Sequence, residues 1–164
     1  MTAKEYNRCV DSCVDDVMRF AVRCGCRLED CEDAVQEALA SLWRHRENVA
    51  IDKGKSYLMG AAYRRLMSHF RHDAVAHEYA DNIVQQVSQM PDESFDLKDA
   101  IERSLQTLPE VQRAILQLRD VEGYSYAEIG ETLSLNDKQV QVYLFRARVA
   151  MRKQLKTMGY GNDR

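Results

Sequence analysis

The stretch Ser125–Gln154, SYAEIGETLSLNDKQVQVYLFRARVAMRKQ, decides the fold. It opens on Ser125-Tyr-Ala-Glu128. That is the spacing of a capping box, in which a Ser hydroxyl and a Glu carboxylate satisfy free backbone N–H groups at a helix start. Asn136-Asp-Lys-Gln139 repeats the device with Gln in place of Glu. Two caps so close together predict a short helix over Tyr126–Leu133, a turn at Ser134–Leu135 and a long helix from Asp137. Gly130 is small enough for the two helices to cross, and Ile129, Leu133, Leu135, Val140 and Leu144 hold the angle between them.

Projected at about 3.6 residues per turn, the long helix turns Val140, Leu144, Ala147 and Met151 inward. Lys138, Gln141, Val142, Phe145, Arg146, Arg148 and Arg152 are left outward or at the flanks. That is a helix-turn-helix with an exposed second helix, suited to the major groove of duplex DNA. Gln141 can pair with adenine, Val142 or Phe145 can meet a thymine methyl, and the arginines reach phosphate or guanine. A plain helical hairpin with a solvated basic tail is the competing reading. The paired caps, the short first helix and the crossing glycine weigh against it.

Working outward, the preceding segments are helical too. Asp96–Leu105 reads as a helix, and Pro109 begins the next, where its missing N–H costs nothing. That helix carries Val111, Ile115, Leu116 and Leu118 and closes at Gly123. Upstream, residues 76–95 mix polar and apolar types without a sustained period and end in a turn signal, as a linker does. Before the linker, a helix from Lys4 to Arg23 stops near Gly25, a natural position just past a helix end. A second, Glu29–Arg46, carries Val35, Ala38, Leu39 and Leu42 on one stripe. A polar loop, Glu47–Gly54, leads to a third helix through Arg71, with Leu58, Ala62, Leu66 and Phe70 inside. The expectation is an all-α chain of two small helical domains, 1–75 and 96–164, joined by the linker.

Composition agrees. The 164 residues are 45% hydrophobic and 30% charged, with only 2 prolines and 7 glycines to interrupt helices. No run of about 18 apolar residues and no basic-then-apolar leader is present, so a cytoplasmic protein without membrane insertion is expected. The net charge of -3 is unusual for a free DNA binder, but its distribution matters more than its sum. Cations cluster after Asp137 and again at Arg64, Arg65 and Arg71, whereas acids concentrate in Asp11–Asp16, Glu29–Glu37 and Asp92–Asp99. The 5 cysteines, Cys9, Cys13, Cys24, Cys26 and Cys31, are odd in number and match no common zinc spacing. Neither a disulfide framework nor a metal site is expected, and Trp43 is expected in the core. Without a Gly-rich phosphate loop, a His pair at metal spacing or a nucleophile beside a histidine, the chain is not expected to be an enzyme or to need a cofactor.

The second block resembles region four of the extracytoplasmic-function sigma factors of bacterial RNA polymerase. The matching words are Leu108-Pro-Glu-x-Gln-Arg113, Leu118-Arg-Asp-Val-Glu-Gly-Tyr-Ser-Tyr-Ala-Glu-Ile129 and Leu144-Phe-Arg-Ala-Arg148. The first block is similar to region two through Asp30-Cys-Glu-Asp-Ala-Val-Gln-Glu-Ala-Leu-Ala-Ser-Leu-Trp43 and Ser56-Tyr-Leu-Met-Gly-Ala-Ala-Tyr-Arg-Arg-Leu-Met-Ser-His-Phe-Arg71. Each word is weak alone; their order and spacing cover nearly the whole chain.

The resemblance implies a promoter-reading subunit that binds the clamp and flap of core RNA polymerase, promoter DNA and an anti-sigma factor in trans. It assigns Ser125, Tyr126, Lys138, Gln139, Gln141, Val142, Phe145, Arg146 and Arg148 to the −35 element. Asn48, Lys53, Lys55, Arg64, Arg65, Ser68 and Arg71 fall to the −10 element, where an unstacked base is captured, with Gly60, Arg64, Ser68 and Arg71 forming one exposed stripe. Tyr57 and Tyr63 are candidates to stack on bases, at least one of them being core. Asp33, Gln36 and Glu37 fall where region two grips the clamp. Arg64 stands where relatives often carry Asn, and Gln141 and Val142 stand where they often carry a basic residue or Ser, which implies altered base preferences. Two other readings stay open: a stand-alone helix-turn-helix regulator whose N-terminal helices dimerise or sense a signal, and a helical thiol or metal sensor.

Overall fold

The structure, a computed structural model, describes residues 1–25, 27–68 and 97–161, and among these every regular element is helical. Helix α1 (Ala3–Arg23) starts at Thr2, whose side chain and that of Glu5 exchange bonds with each other's backbone N–H in a complete capping box. It buries Cys9, Cys13, Val17, Phe20 and Ala21. The chain turns at Gly25, in the left-handed region at φ 88°, and folds back along α1 as α2 (Leu28–His45). The inner line of α2 is Cys31, Ala34, Val35, Ala38 and Leu42. Two 3-10 turns, Arg46–Asn48 and Ile51–Lys53, then lead into α3, which spans 54–68.

The later block comprises α4 (Leu97–Gln106), α5 (Glu110–Leu116), α6 (Tyr126–Leu133) and α7 (Asp137–Thr157). Helix α5 does not run evenly to Gly123. It widens into one π-helical turn, Gln117–Val121, where the Glu122 N–H reaches the Gln117 carbonyl. Both Gln117 and Leu118 are buried in this wider turn. Residues 69–96, which include Phe70, Arg71 and the expected linker, lie outside the described residues.

The apolar core is one connected cluster. Val17, Leu58 and Leu66 of the first block join Ile115, Leu118, Ile129 and Val140 of the second. Each such fully buried side chain contributes on the order of 1.5–3 kcal/mol, so the two blocks are fastened chiefly by water exclusion. Charges and polar contacts frame the seam. Arg23 pairs with Glu102 at 3.4 Å, the Gln117 amide lies 3.9 Å from the Cys24 sulfur, and the Tyr124 hydroxyl lies 3.9 Å from the Met59 sulfur. The Arg113 guanidinium lies so close to Gly25 that a Cβ there would fall 1.9 Å from it.

Two expectations are corrected. Trp43 is 40% exposed rather than core. It sits one position past the buried Leu42 and so turns off the inner stripe; Tyr6 meets its edge at 5.0 Å and the Arg46 guanidinium covers its face at 3.9 Å. The cysteines also differ from expectation. Cys9, Cys13 and Cys24 are free and buried, but Cys31 is disulfide-bonded; Cys26 lies outside the described residues. The turn at Gly25 is what returns the chain toward the first turn of α2.

Candidate nucleic-acid interface

The helix-turn-helix is built as its punctuation predicts, with one difference. The Ser125 hydroxyl accepts from the Glu128 N–H at 3.1 Å, but Glu128 does not return the bond. The second box is complete: Asn136 Oδ1 accepts from the Gln139 N–H at 2.8 Å, and Gln139 Oε1 accepts from the Asn136 N–H at 3.0 Å. Between them Ser134 adopts the left-handed conformation, φ 59° and ψ 47°. A Cβ on Gly130 would lie 2.5 Å from the Leu135 carbonyl oxygen, so the turn closes onto bare backbone. Val140, Leu144, Ala147 and Met151 are the buried residues of α7, as its periodicity requires.

Burying that line aims the opposite face at solvent. Lys138, Gln141, Val142, Phe145 and Arg146 are all exposed, Phe145 to 69%. Two further expected contacts are engaged within the fold. Gln139 spends its carbonyl oxygen on the cap, and Arg148 pairs with Asp120 of the π turn at 3.0 Å. Arg119 escaped sequence reasoning. It donates to the Tyr124 carbonyl at 2.9 Å and lies 5.0 Å over the Tyr126 ring, bracing the start of α6, but no local spacing announces that role.

In the first block, Asn48, Lys53, Tyr57, Gly60 and Arg64 line a groove of about 380 Å³ whose far wall is Glu131 and Thr132 of α6. Arg64, Arg65 and Ser68 are exposed on α3; Arg71 lies outside the described residues. Tyr57 stands half-buried at the groove with its hydroxyl 2.8 Å from Ser41 Oγ, whereas Tyr63 is core. Asp33, Gln36 and Glu37 are exposed on the face of α2 away from its apolar line.

Two members of the expected strand-binding set depart from an open surface. Gly60 is buried, because the Thr132 carbonyl would lie only 2.7 Å from a Cβ at that position. Lys55 is drawn away into a double ion pair, 2.8 Å from Asp16 and 2.6 Å from Glu122. Burial alone would lower its pKa, but the bonds to Asp16 and Glu122 outweigh that and hold the ammonium above its ordinary range. The Lys55 hydrogen bond in turn holds the Asp16 carboxyl below its usual value.

Each of the two blocks matches a known family model. Residues 9–75 match the model of sigma-70 region 2, and residues 98–151 match that of sigma-70, region 4. The chain belongs to the sigma-70 family. It is an RNA polymerase sigma factor of the extracytoplasmic-function kind, acting in transcription initiation by recognising promoter DNA. Its fold is similar to that of the sigma factor RpoE of Bartonella quintana, solved in complex with the anti-sigma factor NepR. The TM-score is 0.70 at 18% identity, over 94% of this chain and 98% of that one. No helix of this sigma factor is long and apolar enough, among the described residues, to cross a membrane.

The buried thiols add little chemistry. Desolvation pushes Cys24 up to about 12, and burial together with its neighbour Cys9 pushes Cys13 up to about 12. Both are therefore protonated at neutral pH, and a protonated thiol is a poor nucleophile and a poor metal ligand. That weighs against the sensor reading for these two positions.

Proposed function

We propose that this sigma factor reads its promoter with two chemically different surfaces, one for each block. The carrying observation is the outward row of α7. Lys138, Gln141, Val142, Phe145 and Arg146 project from a helix pinned by four buried residues, and neither cation forms an ion pair among the described residues. A rigid helix with one polar amide, two apolar groups and flanking cations suits base edges and phosphates of the −35 element. Ser125 and Tyr126 stand at the start of α6, where free backbone N–H groups favour a phosphate. The groove of Asn48, Lys53, Tyr57 and Arg64, with Arg65 and Ser68 beside it, is the −10 surface: cations for a single strand and an aromatic wall for an unstacked base.

Asp33, Gln36 and Glu37 form the acidic contact to the polymerase clamp, and the region-four block meets the flap. The likeness to a sigma factor captured with an anti-sigma partner supports control of this chain by a partner in trans. The domains take the bounds 1–75 and 96–164, the protein works in the cytoplasm, and the polymerase supplies all catalysis.

The experiment is transcription from a randomised promoter library by core polymerase reconstituted with the wild-type chain or Gln141→Ala. Truncation should relax preference at a single −35 position by about 1–3 kcal/mol, the worth of one bidentate base contact, leaving the start site unchanged. An unchanged −35 preference would remove α7 from base reading.

A further inference from the structure

A second cleft, of about 320 Å³, lies apart from the two surfaces proposed to read DNA, between α1, the start of α3 and the π turn. One of its lining residues is out of keeping with its burial. Gln117 is only 3% exposed, yet its amide nitrogen has no closer partner than the Cys24 sulfur at 3.9 Å. Its side-chain oxygen accepts no hydrogen bond among the described residues. Buried side-chain amides are nearly always well bonded, because a carbonyl taken from water without a partner is costly. The segment that carries Gln117 is the π turn, an irregularity often found at functional sites.

The rest of the cleft is charged, and its charges do not cancel. Arg19, Arg23 and Lys55 outnumber Asp16 and Glu122 along its walls. Asp16 is taken up by Lys55 and Arg19, and Glu122 by Lys55. Arg19 and Arg23, one turn apart on α1, each meet a single carboxylate, Asp16 and Glu102. A guanidinium has five N–H donors, so most of theirs have no acceptor among the described residues. Val121, 61% exposed, adds an apolar patch at the same cleft.

We propose that this cleft binds a small phosphate monoester, with its phosphate on Arg19 and Arg23 and a hydroxyl or amino group on the Gln117 oxygen. Neighbouring guanidiniums match phosphate oxygens in forked pairs, and a monoester brings a charge of about −1.5 to −2 at neutral pH. The unbonded amide oxygen calls for an N–H or O–H donor, and Val121 covers part of the carbon skeleton. Sugar phosphates and nucleoside monophosphates share this chemistry. None of Arg19, Arg23 and Gln117 belongs to a surface assigned to DNA or polymerase, so the site does not depend on that reading. The ligand touches α1 and the π turn together, so its binding registers in the stability of the whole chain.

The test uses the full-length chain as wild type, Arg19→Ala and Gln117→Leu, with AMP, ribose phosphate and inorganic phosphate as probes. Thermal melting and titration calorimetry are the readouts. At about a hundredfold excess over Kd, AMP or ribose phosphate should raise the wild-type melting temperature by about 5–10 °C. The stronger of the two tells a nucleotide from a sugar phosphate. Arg19→Ala should weaken ester binding about tenfold, the loss of one charge-assisted contact. Gln117→Leu should melt no lower than wild type without ligand, because an ill-bonded amide gives way to an apolar group of similar size. It should bind the esters about fivefold more weakly and inorganic phosphate as before. No shift with either ester, or wild-type affinity in Arg19→Ala, would overturn the site. Inorganic phosphate binding as tightly as the esters would overturn the ester assignment. A Gln117→Leu chain that melts several degrees lower would show the amide to be held by the fold itself, and would remove it from the site.

Discussion

The two surfaces proposed to read DNA in this sigma factor are built from similar parts and presented in opposite ways. Helix α7 shows its polar face to solvent, with Phe145 among the most exposed large apolar residues of the described chain. Helix α3 has Gly60 under a carbonyl of α6, and Lys55 at its start is held by two carboxylates. The difference comes from packing partners rather than from composition. Helix α7 buries a line of four residues, with Tyr143 and Ala150 packed beside it, and leaves its opposite face to solvent, while α3 meets α1 at Gly54 and the end of α6 at Gly60. One of the two proposed DNA faces is thus open to solvent, and the other belongs to a tertiary seam.

The most forceful way to break the contrast is to remove the core that joins the blocks. Leu118, fully buried in the π turn, touches the shared cluster, and Leu118→Ala should cost about 2–5 kcal/mol, as buried leucine truncations do. Because the cluster is continuous, thermal denaturation followed by circular dichroism should keep a single transition at lower temperature. Two resolved transitions in the wild type would mean that the blocks melt separately and that the seam contributes little.

A smaller effect sharpens the contrast at the level of single cations. Arg146→Ala should weaken duplex binding by the free chain and lower the slope of log affinity against log salt by about one. Lys55→Ala should leave that slope unchanged in the free chain, since its ammonium is already neutralised, and should lower single-strand affinity only in holoenzyme. Equal slopes for the two variants in the free chain would show Lys55 to be as available as Arg146.

The smallest effect is with pH. Asp16 is held below its ordinary value of 3.8, so its contribution is complete above that pH and fades as pH falls through the depressed value. Lys55 is held above 10.5, so its contribution is complete below that and fades as pH rises through the raised value. Compactness of the free chain should be flat from about pH 5 to 10, well inside both values. A neutral-range transition in scattering would point to other groups.

What could be read from sequence follows the range of the forces involved. The inner line of α7, the crossing glycine and the Asn136–Gln139 cap are local, with period and spacing spelled out by neighbours in the chain. The Thr2–Glu5 cap has the same local spacing but went unread, the helix being placed from Lys4. Trp43 was misread because aromatic size argues for burial while its angular position, next to Leu42, turns it outward. Gly60 and Lys55 were read as exposed because nothing within a few residues of either encodes Thr132 or Glu122. Arg119 and Arg148 illustrate the same limit: each is assigned by a partner across a turn or on another helix, which periodicity does not specify.

The contact at Gly60 also has a one-sided mutational landscape. Glycine is already the smallest residue, so any exchange at position 60 adds volume against a backbone oxygen. Variation there can loosen the fit between α3 and α6 but has no way to tighten it. Any gain in fit at this seam would have to come from charge instead, around Asp16, Lys55 and Glu122, where substitutions work in both directions.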